Sequence, residues 1–493
     1  MRLNQLSVAL LSAALAQVLA ASACADVITD CNKITVDATK TGGLNSNLGT
    51  RIDAIEALAV YDAVNTIVNF GTPYHFHTPP SGAASAEAAA AQAAHDVLVN
   101  YFPAQKADLD AKLAASLGAI PDGPDKSNGL AVGAASAADL IAFRANDGSS
   151  PNVSYAGPAN PGIGEWRPTP GATAGTFPPG INEQWGSVQP FVLTATNQFR
   201  PGPPPAVGTT NYTAALAEVE AIGSVTNGLR TSDQTHIAQF YKQDAELSVN
   251  EAARALALSH NLSLEEDALL FALTDIAVAD ARIAVWDAKY TYLFWRPITA
   301  LNAAPDGAVT NNYASWTPLI VTPSHPGYPS GHSGTVTAGF EVLKDFFGNR
   351  NTLQLHTTTA GEPPRTIQSL GQGESENGLS RIYGGIHFAF ENEQGQNIGR
   401  EVAAYVLAHG PQPIISTNAT SAQVTIGLYP GISITGGLGD SYRLDYANSV
   451  SSTNWTPLTF VTLPTPSPYV VIDRSAPGAD HRFYRAVLIG NGP

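Results

Sequence analysis

Basic residues, cysteine and long apolar runs are all in short supply in this chain. Lys and Arg number 25 against 41 Asp and Glu, so the 493 residues carry a formal net charge of −16. That balance argues against general nucleic-acid binding, and any local gathering of Lys and Arg runs against it. Only two cysteines occur, Cys24 and Cys31. No apolar stretch after the N-terminus reaches the roughly 18 residues needed to span a bilayer, so no transmembrane segment is expected. Charged residues make up only 13% of the chain and hydrophobic residues 44%. Such a chain is globular with a sizeable core, and its length favours one large domain plus a smaller one.

The N-terminus, MRLNQLSVALLSAALAQVLAASACADV, has one arginine, an apolar run and small residues ending in Ala23-Cys24-Ala25. This is the pattern of a secretory signal peptide spanning 1–25. The competing reading, lipidation at Cys24, meets Ala21 where a lipobox usually has Leu. Cleavage after Ala25 leaves Cys31 alone, with no intrachain disulfide available. The mature protein is then expected to be secreted or periplasmic.

From about residue 50 to 410 the periodic segments are helical. RIDAIEALAVYDAVNTIVN (51–69) and SAEAAAAQAAHDVLVNYF (85–102) repeat apolar residues at three- and four-residue steps. A Gly/Pro-rich stretch between roughly 148 and 210 reads as a long irregular connection of the kind that often covers a site. Ser263 followed by Glu266 fits a capping box, and the helix it opens runs apolar on most faces until Pro297 stops it. After about 415 the texture changes to short β-branched or aromatic segments separated by Gly, Pro, Asn and Ser, which predicts a small all-β, sandwich-like module. The expected organisation is therefore mainly α, with a helical domain over 26–412 and a β module over 413–493.

Three stretches carry candidate chemistry: KYTYLFWRP (289–297), PSGH (329–332) and SRIYGGIH (380–387). Each has a structural reading: cations near a helix C-terminus, an ordinary helix cap, and lone structural residues. Together they point elsewhere. Lys289 and Arg296 are seven apart, so at 3.6 residues per turn they are expected within about 20° of each other on the same helix face. Two such cations repel unless an anion sits between them, and Arg381 would be a third. The turn at Ser330 and Gly331 opens a probable helix, so its amides would face the same ligand, with glycine allowing close approach. Three basic side chains and a helix N-terminus describe a pocket for a tetrahedral oxyanion.

The order Lys-x6-Arg-Pro, Pro-Ser-Gly-His, Ser-Arg-x5-His resembles the phosphatidic acid phosphatase type 2 superfamily, which includes bacterial acid phosphatases and vanadium-dependent haloperoxidases. The resemblance covers roughly 45 to 410 and implies a mainly α-helical fold built around bundled helices. It implies that Lys289, Arg296, Arg381, Ser330 and the Gly331 amide bind vanadate or phosphate. It makes His387 the axial ligand of vanadium, or the phosphoryl acceptor in a phosphatase, and His332 the general acid/base. One departure is visible: the phosphatase-like pattern ends His-x3-Asp, whereas HFAFE supplies Glu391.

Long helical and loop regions before the motif, and the wording DAKYTYLFWRPITAL, resemble bacterial haloperoxidases of the bromoperoxidase kind. That resemblance places Trp286 near the halide, although core packing would account for it equally. His325, seven residues before His332, stands where bromoperoxidases carry a second histidine, and SHPGYP also reads as an exposed loop. The implied substrates are hydrogen peroxide and bromide or iodide, giving hypohalous acid that halogenates organic acceptors. A secreted phosphomonoesterase with a phosphohistidine at His387 is the alternative, and a binding protein working through its β module is a third. Asp244 resembles the acid that holds the second motif arginine. His75 and His77 read as loop residues, since no third metal ligand is in view.

Overall fold

The computed structural model describes residues 27–226, 229–309, 313–414, 431–436, 440–449, 454–463, 469–473 and 482–490. The signal-peptide segment lies outside the described residues. The chain divides into two units, residues 1–414 and 415–493.

The first unit is helical. Its helices are α1 (Val27–Thr41), α2 (Ser46–Val68), α3 (Ala86–Tyr101), α4 (Lys106–Leu117), α5 (Pro124–Phe143), α6 (Thr210–Gly223), α7 (Ser232–Phe240), α8 (Ala245–His260), α9 (Leu264–Tyr292), α10 (Pro297–Asn302), α11 (Gly331–Phe347), α12 (Leu370–Tyr383) and α13 (Ala389–His409). A two-stranded antiparallel hairpin, β1 (Leu353–Leu355) with β2 (Arg365–Ile367), sits between α11 and α12.

Helix α9 is the axis of this unit and packs against α2, α11 and α13. Its apolar character all round matches burial on every side. Ile276, Val278, Ile283 and Val285 are among its core residues. Its start forms the expected capping box: the Glu266 amide donates to Ser263 Oγ at 3.3 Å, and the Ser263 amide donates to Glu266 Oε2 at 2.8 Å.

The other end corrects the sequence reading. The helix stops at Tyr292, Leu293 turns into the left-handed region with φ 47°, and Pro297 begins a new short helix instead of ending the old one. A bulky residue is strained there. The Gly/Pro-rich connection holds it: the Trp166 amide donates to Leu293 O at 2.7 Å and the Trp295 amide to Gly164 O at 2.9 Å. Lys289 and Arg296 therefore do not share one helix face.

Helices α11 and α13 approach unusually closely. A Cβ at Gly395 would stand 2.5 Å from Ser330 O, and one at Gly399 2.6 Å from Gly334 O. Glycine at both positions lets the start of α11 lie directly on α13, which carries Glu391.

The second unit is all-β among its described residues. β3 (Gly431–Ile434) pairs antiparallel with β6 (Tyr469–Ile472), and β4 (Ser441–Ala447) lies between β5 (Thr456–Thr462) and β7 (Phe483–Gly490). Ile434 of one sheet shares a small core with Leu444 of the other and with Leu463. That is a sandwich in miniature. No described helix of the chain is long and apolar enough to cross a membrane.

Candidate active site

The site forms where the end of α9, the 322–332 turn, the end of α12 and the start of α13 meet. Ser330 is the N-cap of α11, and its Oγ accepts from the Ser333 amide at 3.4 Å and from the Ser333 hydroxyl at 2.8 Å. The Ser330 hydroxyl proton is left to donate outward. Capping in this way leaves the first-turn amides of Gly331 and His332 without an intrahelical partner. A Cβ on Gly331 would meet the Trp286 ring at 3.2 Å, Arg282 Nη1 at 3.5 Å and Lys289 Cε at 3.8 Å. Glycine here preserves a cradle walled by those three side chains.

The three expected cations are all buried at this place. Lys289 donates to Pro326 O at 2.8 Å, Gly327 O at 3.0 Å and Pro329 O at 2.6 Å. Those bonds use every ammonium hydrogen, so Lys289 clamps the turn that presents Ser330 and Gly331. Arg296 donates from Nε to His325 O at 2.9 Å and from Nη1 to Ile386 O at 2.8 Å, tying the same turn to the segment that carries His387. Arg381 donates to Ser380 Oγ and, from Nη2, to Tyr241 O. Burial lowers Arg296 to about 10 and Arg381 to about 9, the latter helped by repulsion from Arg296. Lys289 is held well below its ordinary value, first by burial and then by Arg296.

His387 is fixed at both ring nitrogens. Nδ1 lies 2.6 Å from Glu391 Oε2, and Nε2 lies 3.0 Å from Arg296 Nη1. A guanidinium can only donate, so Nε2 is the acceptor and Nδ1 carries the proton. Glu391 Oε2 also accepts the Phe388 amide at 3.1 Å. Burial pushes Glu391 up to about 7, against the pull of Arg296 and Lys289. The longer acid at position 391 thus still reaches the imidazole and orients the Nε2 lone pair.

His332 is the one partly exposed member of the set. Its Nε2 lies 3.0 Å from Gln243 O, an obligate acceptor, so Nε2 carries the proton and Nδ1 is left basic. Burial, then Arg381, lowers its pKa well below the usual histidine range. His325 is buried, with Nδ1 3.1 Å from Arg296 Nη2, and its ring lies 4.9 Å from that of Trp286 at 45°. It is no exposed loop residue. Burial, then Lys289, lowers its pKa.

Two expectations fall away from the site. Asp244 is exposed; it accepts from the Ser46 hydroxyl, and among the described residues it pairs with neither Arg296 nor Arg381. Carbonyls of the same loop, Tyr241 O and Gln243 O, hold Arg381 and His332 instead. His75 bonds Asp139 and stacks on Phe143 at 4.0 Å, and the His77 ring bonds His75 O. No group of three or more His, Cys, Asp or Glu among the described residues is arranged to hold a metal ion.

One residue was missed. Arg282 lies seven positions before Lys289 on the same continuous helix, buried beside Trp286 at 5.4 Å, with Glu246 Oε2 at 3.4 Å. The spacing argument applied to Lys289 and Arg296 holds for this pair instead. Four buried cations therefore gather around two buried carboxylates, Glu246 and Glu391. Among the described residues, the Nε of Arg282 and the Trp286 indole N–H have no hydrogen-bond partner. Buried excess positive charge and orphaned donors fit an oxyanion that would neutralise and accept from them.

Lys289→Met is expected to lower unfolding free energy by about 2–4 kcal/mol, because three buried carbonyls lose a charged donor. Denaturant unfolding measures this; an unchanged midpoint would mean the clamp does not hold the turn.

A family model described as the VCPO second helical-bundle domain matches residues 269–414. The vanadium chloroperoxidase of Curvularia inaequalis is 28% identical over 155 residues, 29% of this chain and 23% of that one. The chain thus covers about a quarter of that curated relative's length. A solved bacterial vanadium-dependent iodoperoxidase superposes with a TM-score of 0.69 at 25% identity, covering 78% of this chain and 96% of that one. A holo-type bacterial vanadium-dependent chloroperoxidase gives 0.61 at 17% identity, over 73% and 91%, which is a likeness of fold.

Proposed function

We propose that this chain, similar to vanadium-dependent haloperoxidases in fold and over residues 269–414, oxidises bromide or iodide with hydrogen peroxide to hypohalous acid, which halogenates organic acceptors. The observation that carries the reading is His387, a buried ring that Glu391 orients at Nδ1 so that its Nε2 lone pair, which accepts from Arg296 Nη1, would pass to vanadate on binding. Vanadate bound there supplies a Lewis-acidic centre that makes hydrogen peroxide electrophilic toward halide.

The residues divide the work as follows. His387 Nε2 would hold the vanadate. Arg381, the Ser330 hydroxyl and the Gly331 amide would donate to its oxygens, and Arg296 and Lys289 would add positive charge while keeping the turn in place. His332 Nδ1 takes the proton of incoming hydrogen peroxide and later returns one to the departing oxygen. Hydrogen peroxide, halide and one proton give hypohalous acid and water; the halide loses two electrons and the O–O bond accepts them. Trp286 and His325, in ring contact beside Lys289, would line the halide approach, and the histidine at 325 is what favours bromide or iodide over chloride. The signal-like N-terminus supports action in the periplasm or outside the cell.

The deciding assay is bromination of a dione reporter by metal-stripped protein with peroxide and bromide, before and after adding vanadate, beside hydrolysis of p-nitrophenyl phosphate. Vanadate-dependent bromination suppressed by phosphate is the expected result. Ester hydrolysis inhibited by vanadate, without bromination, would make this pocket a phosphatase's.

A further inference from the structure

We propose that Arg282 is a fourth cation of the oxyanion pocket, binding the tetrahedral dianion directly from beside Gly331. The inference rests on the oxyanion reading of the site and adds a residue that none of the three motifs contains.

Its grounds are geometric. Arg282 Nη1 lies 3.5 Å from where a Gly331 Cβ would stand, so the guanidinium edge borders the space that this glycine keeps open. The side chain is only 3% exposed. Among the described residues its Nε has no partner, and its one hydrogen-bond contact is a long 3.4 Å approach of Nη2 to Glu246. A guanidinium offers five N–H donors, and burying them unpaired is costly. By contrast Lys289 has every donor engaged by carbonyls, and Arg296 is bonded to the 323–325 segment, Ile386 and His387. The pocket's spare donors therefore belong to Arg282 and Arg381 more than to the two basic residues of the first motif.

Its surroundings agree. The Trp286 ring beside it, 5.4 Å away, supports the guanidinium plane and blocks water on that face. Glu246 is itself buried. A weakly paired arginine next to a buried acid is poised to exchange a poor contact for a charge-assisted bond to a dianion.

The test is calorimetric titration of the metal-stripped full-length protein with orthovanadate and, separately, with inorganic phosphate, for wild type, Arg282→Met, Arg282→Lys and Glu246→Gln. Arg282→Met is expected to weaken both anions by roughly 10- to 100-fold, with Arg282→Lys recovering part of the loss. Glu246→Gln, which frees the arginine from its partner, is expected to tighten phosphate severalfold. Arg282→Met binding within twofold of wild type would overturn the proposal. Should that variant fail to fold, Glu246→Gln decides: unchanged or weaker phosphate affinity overturns it. Wild type binding neither anion would instead overturn the oxyanion reading on which it rests.

Discussion

Replacing His387 with alanine is expected to abolish vanadate binding and, with it, vanadate-dependent bromination, a loss of roughly 10³-fold or more. The ring is placed by both a carboxylate and an arginine, with Glu391 at 2.6 Å on Nδ1 and Arg296 at 3.0 Å on Nε2. Removing it also leaves Glu391 buried without its ring partner. Glu391→Gln is the milder companion: the ring stays but its proton is no longer drawn to Nδ1, and a loss of about 10- to 100-fold in vanadate affinity is expected. Equilibrium dialysis with vanadate and the dione assay read both. Bromination by His387→Ala at near the wild-type rate would remove His387 from the mechanism and sink the proposed function with it.

The second large effect lies away from the site, in a buried acidic cluster between α2, α8 and α9. Asp53, Glu56 and Asp275 are all at most 2% exposed. Asp275 accepts from Asn250 Nδ2 at 3.0 Å and Asn32 Nδ2 at 3.5 Å, but among the described residues both carboxyl oxygens of Asp53 and the Oε1 of Glu56 accept no bond. Burial, then the charge of Asp275, raises Glu56 to about 8; burial raises Asp275 to about 7, and Asp53 well above its ordinary range. Groups whose folded pKa exceeds the unfolded one stabilise fully below about pH 4, and that contribution is lost as pH rises toward 8. Wild-type stability is thus expected to fall across that window. Glu56→Gln keeps the shape and removes the titration. At about 1.4 kcal/mol per pH decade, it should raise stability at pH 8–9 by between about 2 and 5 kcal/mol relative to wild type and flatten the profile. Urea unfolding at pH 5, 7 and 9 checks this; parallel profiles for the two proteins would show that Glu56 does not hold its proton in the folded state.

The two effects are separable because the acids sit one layer behind the cations. Glu246 is the nearest link, touching Arg282 on one side and contributing to the raised pKa of Asp53 on the other. Helix α9 carries both sets, Asp275 in its middle and Arg282, Trp286 and Lys289 toward its end. Charges on so apolar a helix are costly to bury, so Asp275 is pushed toward its protonated form, Lys289 is held by three carbonyls, and Arg282 is left to an anion.

Much of this was legible along the chain. The helical periodicity of α2 and α3, the Ser263 capping box and the Pro-Ser-Gly-His cap are local features, decided by residues three or four positions apart, and local rules read them. The order and internal spacing of the three basic motifs likewise pointed to an oxyanion pocket before any fold was in hand. What the sequence could not decide was anything set by contacts across the chain. The left-handed turn at Leu293, held by Trp166 and Gly164 from a distant loop, ended the helix early and took Arg296 off the face of Lys289. Packing of α11 on α13 set the Ser330 turn directly against the helix that carries Glu391, and the turn carbonyls claimed Lys289. Asp244 looked like an arginine's partner in its local sequence, yet the fold left it exposed at Ser46. Arg282 went unseen because a lone arginine in an apolar helix has no motif; only the tertiary structure places its unpaired donors beside the glycine that opens the pocket.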